Sequence, residues 1–416
     1  MKNDFINKLS GMKIDKYLGK YGDKLLFVLA LAFLVLAIFR LWGNKPIRKA
    51  QVPPIVFTQW WENDSEAETL KALIEEFESL HSGIKITLAT RTYEDLRRDL
   101  FDSDGSTSLE NVPLGSAALG DIIALDPLWV PELRSREVIE NANAPLISFI
   151  NVFYYNTVIL KEAGYSRPPK SRGEFISYAR SLADGAGNRT GLALGINDLR
   201  GIYDDIFPWI WAAGAQLVVD GKPTVNSRPV IESLSFLAAL NSEGLIATDA
   251  FSANPEKLDD FVSGRAAFMV APASEIGHVR ERLGDGFGVT SIPVPDNFAG
   301  KSLLASAGWT VGLYAGSARK DEAQLFVDFL TEKASFPAMG AGAMPVGGLT
   351  PTEDDLHLKV WDITIAGELA EDFSGLPWTE LEEAFREELA AMFAGRYSPA
   401  ETAAAVQKKW ETILGL

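Results

Sequence analysis

The chain has 416 residues, 47% of them hydrophobic and 23% charged, with a formal net charge of -17 and no cysteine. A single hydrophobic core stops growing at roughly 250 to 300 residues, so two folded domains are expected, with the composition of a globular chain. The negative balance opposes any polyanionic partner and excludes nucleic acid. The missing thiols exclude disulfides, cysteine nucleophiles and a lipid-modified cysteine anchor, and the three scattered histidines (His81, His278, His357) have no zinc-binding spacing and read as surface or capping residues.

Taken in chain order, every residue from Leu25 to Phe39 is apolar, and Leu41 and Trp42 extend the run past Arg40, whose long side chain can snorkel to the headgroups. A spanning helix needs about 17 to 25 residues, whereas a cleavable signal core has about 7 to 15. The following flank, RLWGNKP, has no pair of small residues at which a signal would be cut, so residues 25–42 are expected to remain as a transmembrane anchor. Lys2, Lys8, Lys13, Lys16, Lys20 and Lys24 precede the span, against Arg40, Lys45, Arg48 and Lys49 after it. This bias places segment 1–24 in the cytoplasm and the bulk of the chain on the extracytoplasmic face. Residues 43–53, with Pro, Gly and charge but no periodicity, read as a linker.

The folded part opens on a strand, IVFTQWW at 55–61, and a helix capped by Asp64 or Ser65 with Leu70, Leu73, Ile74, Phe77 and Leu80 at helical spacing. A strand at 84–90, a helix over 93–101, a loop rich in Ser, Gly and Asn over 102–120 and a buried strand DIIALD at 121–126 follow, which implies parallel strands joined by crossover helices. The run LISFINVFYYN after Pro145 is strand-forming, and helices are expected over 157–163, 171–183, 202–214 and 228–241. A helix and strand occupy 257–272, further strands 288–295 and 308–315, and helices 320–330 and 378–414, with a Gly/Pro-rich connector at 337–351.

In order and spacing these segments resemble the bacterial extracellular solute-binding proteins of family 1, the sugar-binding group typified by maltose-binding protein. IVFTQWW followed by ETLKALIEEFESLHSGIKIT resembles the family's opening strand, helix and turn, and GDIIALDPLWVPEL its next strand. VFYYNTVILKEAGYSRPPKSRGEFISYARSL, SGRAAFMVAP and SAGWTVGLYAGSARKDEAQLFVDFL then match in register, so the resemblance covers about residues 54 to 416. It implies an α/β, two-lobed periplasmic-binding-protein-like fold of type II, here behind an N-terminal transmembrane helix. Lobe 1 would take 54–150 and 293–332, and lobe 2 would take 151–292 and 333–416. The implied function is the solute-binding component of an ABC importer, a monomer that works with permease subunits in the membrane and needs no cofactor. The chain would cross between lobes near Phe149 to Val152, Ile292 to Pro295 and Thr331 to Ser335.

A sugar has an apolar C–H face and a rim of hydroxyls, which aromatic platforms beside carboxylates and amides would satisfy. Trp60, Trp61 and Glu62 end the first strand, and Asp126 ends the third, where open parallel sheets bind ligands; the alternative role for Asp126 is capping the turn at Pro127. Trp309 follows Gly308 in the segment that resembles the family's "GGW". Trp209 and Trp211, two positions apart on one helix, do not share a face, and Trp378 precedes the terminal helix where the family often places a cleft aromatic. Tyr154, Tyr155 and Asn156 read as packing residues. The chain departs from the family at Ala271, Pro272, Ala273, Ser274 and Glu275, where an aromatic platform is often found. There are two rivals: a sensory accessory, which shares every binding residue, and a carbohydrate-cleaving enzyme using a pair among Asp121, Asp126, Asp204, Asp205 and Glu62.

Overall fold

In the computed structural model, which describes residues 24, 27–37, 40, 52–60, 64–101, 119–142, 146–183, 189–247, 250–252, 256–332, 344–345, 355–373 and 375–416, the chain divides between Pro53 and Pro54 into two units. In the first, residues 27–37 are helical with exposed apolar side chains. No helix of the described residues is long and apolar enough to cross a membrane, and residues 25, 26, 38, 39, 41 and 42 of the expected span lie outside those described.

The second unit is built on one mixed sheet. The short apolar runs at its start form β1 (Ile55–Gln59), β2 (Ile86–Thr90) and β3 (Ile122–Leu125), with α1 (Asp64–Leu80) and α2 (Tyr93–Phe101) as crossovers. β1 pairs parallel with both β2 and β3. All four residues of β3 are buried, the pattern of a strand covered on both faces. Phe57, Phe77, Phe326 and Phe329 interlock on one side of this group.

After η-turn residues 127–129, α3 (Val130–Ser135) and β4 (Ile139–Ala142), the ten-residue β5 (Ile147–Asn156) changes partners along its length. Residues Ile147–Ile150 pair antiparallel with β12 (Ser306–Tyr314), whose later residues Thr310–Leu313 pair with β3. Residues Asn151–Tyr155 instead pair with β9 (Ala266–Pro272), which carries β6 (Thr190–Ala193) in parallel, and Phe153–Asn156 also pair with β10 (Phe287–Thr290). β5 therefore hands the chain from one strand group to another between Ile150 and Asn151. β12 hands it back. Residues 292–304 stay with the second group: Arg172 N donates to the Val294 carbonyl, Ser302 Oγ donates to the Ala212 carbonyl, and β11 (Leu303–Leu304) pairs with β14 (Glu368–Leu369). The first residue of β12, Ser306, then pairs with Ile150 in the first group. Residues 333–335 of the third expected crossing lie outside the described residues.

The second group is covered by α4 (Thr157–Glu162), α5 (Arg172–Leu182), α6 (Phe207–Trp211), α7 (Arg228–Ser242), α8 (Lys257–Val262) and α9 (Ile276–Leu283), with a small hairpin of β7 (Val218–Val219) and β8 (Lys222–Pro223). Asn156 caps α4 through its side chain, and Tyr154 is fully buried, as packing residues should be. α10 (Lys320–Glu332) returns to the first group, β13 (Met344–Pro345) pairs with β5, and α11 (Asp355–Ala366) precedes the terminal helices. The stretch 378–414 is not one helix. Gly395, at φ +71°, ends α12 (Trp378–Phe393), and a capping box between Ser398 and Glu401, with Pro399 at the first helical position, starts α13 (Pro399–Ile413).

Candidate functional site

A cavity of about 620 Å³ opens where the end of β1, Phe149 of β5 and Trp309 of β12 meet β9 and the segment after β6. One wall is aromatic. Trp60, the residue after β1, is 7% exposed and sits edge-on to Trp309 at 6.0 Å between ring centroids, with Tyr93 at 5.4 Å and Trp129 at 5.6 Å behind it. Trp309, half-buried in β12 opposite Ile147, also meets Phe149 edge-on at 5.6 Å. Each ring is held by its neighbours, so the wall is preorganised.

The facing wall is polar. It takes Asp198, Arg200 and Asp204 from the segment after β6, Lys257 and Asp259 from the start of α8, Ser274 and Glu275 from the turn after β9, and His278 from α9. Asp204 and Asp205 lie in a single wide helical turn, Ile202–Ile206, and serve different partners. Asp205, fully buried, accepts from Lys257 Nζ at 2.8 Å and Gly195 N at 2.7 Å. Burial works against the Lys257 ammonium, but Asp205 outweighs it and holds the pKa above the ordinary lysine value. Arg200 pairs with Asp204 at 2.8 Å and with Asp126. The two strongest cations of the wall are thus already paired with protein carboxylates, and an anionic solute would have to displace them. Asp198 has no ion pair among the described residues, and burial pushes its carboxyl up to about 6. Among the described residues no group of three or more His, Asp or Glu is placed to hold a metal ion.

Of the residues marked in the sequence, Trp60 and Trp309 meet in the aromatic wall. Asp126 lies behind the lining, 1% exposed, with its carboxylate accepting from Leu128 N at 2.9 Å, Tyr93 Oη at 2.9 Å and Arg200; it both caps the turn and ties the walls together. Trp209 and Trp211 are 0% exposed and leave no face for a solute: Trp209 packs among Phe153, Phe175 and Phe236, and Trp211 against Tyr203 and Phe207 with Nε1 donating to Glu371. Trp378 is also core, 4% exposed among Tyr203, Phe207 and Phe373. Trp61 and Glu62 lie outside the described residues. His278, read as a surface residue, lines the cavity beside Glu275 at 3.1 Å. Where the family often has an aromatic after β9, this wall has Ala271, Pro272, Ser274 and Glu275. Tyr93, Phe149, Arg200 and Lys257 were not singled out from sequence. Tyr93 had one signal, its place just beyond the carboxyl end of β2, where parallel sheets bind ligands.

An α/β sheet whose two strand groups are joined by shared strands, with a cavity at the junction, is a two-lobed fold with room for a small molecule. The profile of the bacterial extracellular solute-binding protein family matches residues 63–335, and the chain belongs to that family. A probable ABC transporter-binding protein of Deinococcus radiodurans is 28% identical over 201 residues, which are 45% of this chain and 46% of that one, so the match spans just under half of each. The melibiose/raffinose/stachyose-binding protein MelE of Bacillus subtilis is 22% identical over 363 residues, covering 79% of this chain and 82% of MelE. In three dimensions the chain is similar to the GacH receptor of Streptomyces glaucescens, solved unliganded and with acarbose, at a TM-score of 0.70 and 19% identity, over 87% of this chain and 98% of that one. At that identity the likeness shows the fold alone.

Proposed function

We propose that this chain is the extracytoplasmic solute-binding component of an ABC importer and that it captures an uncharged mono- or oligosaccharide between its lobes. The observation that carries the reading is the pairing of walls: Trp60, Trp309 and Phe149 face Asp204, Lys257 and Glu275 across one cavity. Rings stack on the C–H face of a sugar while carboxylates and ammonium groups take its hydroxyls. The volume lies within the range of about 300 to 1,000 Å³ usual for small-molecule sites. Saccharides bound by MelE and GacH agree with this class.

In this reading lobe 1 is 54–150 with about 306–332, and lobe 2 is 151–305 with 333–416, the boundaries following the partner change in β5 and the start of β12. Solute touching both lobes would further favour the closed form by its differential affinity, and the loaded closed form is what a permease would receive. The N-terminal apolar run holds the protein at the membrane. Sequencing the mature amino terminus tests the anchor: the account expects residues 25–42 to be retained, and a chain starting between 43 and 51 contradicts it.

The function is tested by thermal shift of the full chain against a panel of neutral mono- to tetrasaccharides, uronates and sugar phosphates. A native-state ligand raises apparent stability by RT ln(1 + [L]/Kd), about 2.7 kcal/mol at a hundredfold excess over Kd. A shift with a neutral saccharide, and no turnover of it, is the expected result. Shifts with acidic sugars alone, or cleavage of the saccharide, would overturn the reading.

A further inference from the structure

The two walls of the cavity are joined by one chain of polar side chains. Asp126 ends β3 in the first strand group, while Arg200 and Asp204 follow β6 in the second. Arg200 gives Nη1 to Asp126 and Nε to Asp204 Oδ2 at 2.8 Å, and its guanidinium lies 5.1 Å from the Tyr203 ring centre. Tyr93 Oη, from α2, donates to the same oxygen of Asp126 at 2.9 Å. At the other end Asn151 Nδ2 donates to the Asp204 carbonyl at 3.0 Å and to its Oδ1 at 3.1 Å, and Asn151 is the first residue of β5 after the partner change. The chain of contacts therefore runs from α2, through the floor of the cavity, to the strand on which the lobes would turn.

These groups are largely withdrawn from water: the side chains of Asp126, Asp204 and Arg200 are 2%, 9% and 18% exposed. Burial works against the Arg200 charge, and the carboxylates of Asp126 and Asp204 overcome it, so the guanidinium stays ionised at any working pH. Burial and the Asp126 charge likewise push the Tyr93 phenol well above its usual value and keep it a donor. Parting the walls would take Arg200 away from Asp126, which has no other ion-pair partner among the described residues. A carboxylate left so placed must rehydrate or pay for its burial, so separation is opposed from both sides.

We propose that Arg200 is the positioning residue of the solute site: by bridging Asp126 and Asp204 it sets the spacing of the two walls and holds the protein closed before any solute arrives. Its effect on affinity rests on the cavity being the solute site, but the closure does not and is measured without solute. A protein whose competent form is already populated loses less affinity to the conformational step. Planar, two-sided pairing is what a guanidinium provides and an ammonium does not.

The chain has no cysteine, so Asp99→Cys and Glu281→Cys place spin labels at two chosen points, on the exposed faces of α2 and α9, helices that line the cavity from opposite sides. Pulsed dipolar distances are recorded on the full chain in detergent with no saccharide added. The expected result is one narrow distribution in the parent, displaced to longer distances and broadened by Arg200→Gln and, to a similar degree, by Asp126→Asn, with Arg200→Lys intermediate. The double variant Asp126→Asn with Arg200→Gln should resemble either single one, because both remove the same contact. A broad, long distribution in the parent overturns the proposal outright, whatever the variants do. So does an unchanged distribution in Asp126→Asn with native far-ultraviolet dichroism. If no saccharide binds the parent yet the distances behave as expected, the solute reading fails and the bridge stands; saccharide binding with unmoved distances gives the reverse.

Discussion

The tryptophans of the two strand groups differ in what they are for. Trp60 follows the end of β1 and Trp309 stands within β12, and both line the cavity; Trp209 and Trp211 stand on a short helix between sheet and outer helices, and Trp378 at the inner end of α12. One residue type thus lines a cavity in the first group and makes a core in the second. The lesson is that an aromatic residue reports large buried area in either case; only its place relative to a strand end or a helix face separates the two roles.

The largest expected effect breaks the comparison on its core side. Trp209→Ala removes a fully buried indole from among Phe153, Phe175 and Phe236 and should destabilise the protein by about 3 to 5 kcal/mol. Urea unfolding measures it, and a loss under about 1 kcal/mol would place Trp209 outside the core.

A smaller effect is expected behind the aromatic wall. Tyr93→Phe keeps the ring against Trp60 but deletes the donor to the buried Asp126 carboxylate, a charge-assisted bond for which about 1.5 to 3 kcal/mol is usual. The same urea titration checks it, and an unchanged midpoint would mean that Leu128 N and Arg200 alone satisfy Asp126.

A pH-dependent effect sharpens the comparison further. Glu382, buried in α12 four residues after Trp378, is pushed up to about 8 by burial, against the opposing pull of Arg386, Arg97 and Arg200. Its folded pKa exceeds the unfolded value of about 4.5, so its contribution to stability is complete below pH 4.5 and is lost as pH rises through about 8. Glu382→Gln should therefore raise the melting temperature relative to the parent at pH 8.5 and leave it nearly unchanged at pH 4.5. An equal difference at both values would show that Glu382 titrates normally.

Much of the fold was legible because it is local. The apolar run at 55–59, the helical spacing of Leu70, Ile74 and Phe77 and the buried strand 122–125 each announce themselves within ten or twenty residues, and order alone then implies parallel pairing of β1 with its neighbours. The site was legible only in part. Trp60 could be marked because strand ends are where sheets bind ligands, and Trp309 because its segment resembles the family's. Arg200 could not: nothing near residue 200 announces that its partner is 74 positions away, or that Tyr93 reaches the same carboxylate over 33 positions. Trp211 and Trp378 were misplaced for the converse reason, since helical spacing shows that two tryptophans face different ways but not that other layers cover both directions. The wide turn at Ile202–Ile206, which sends Asp204 to the cavity and Asp205 to Lys257, likewise depends on contacts that no local pattern encodes.

The central claim, that the aromatic wall of the first strand group holds the solute, is tested most directly by calorimetry with the neutral saccharide found by screening, on Trp309→Ala and on Trp211→Phe. A central aromatic anchor contributes at least about 2 kcal/mol, and about 1.4 kcal/mol is one decade of Kd. The account predicts that Trp309→Ala weakens binding by more than tenfold with the fold intact, while Trp211→Phe changes Kd by less than about threefold, near 0.65 kcal/mol. An unchanged Kd in Trp309→Ala together with a large loss in Trp211→Phe would contradict it and move the site to the second group.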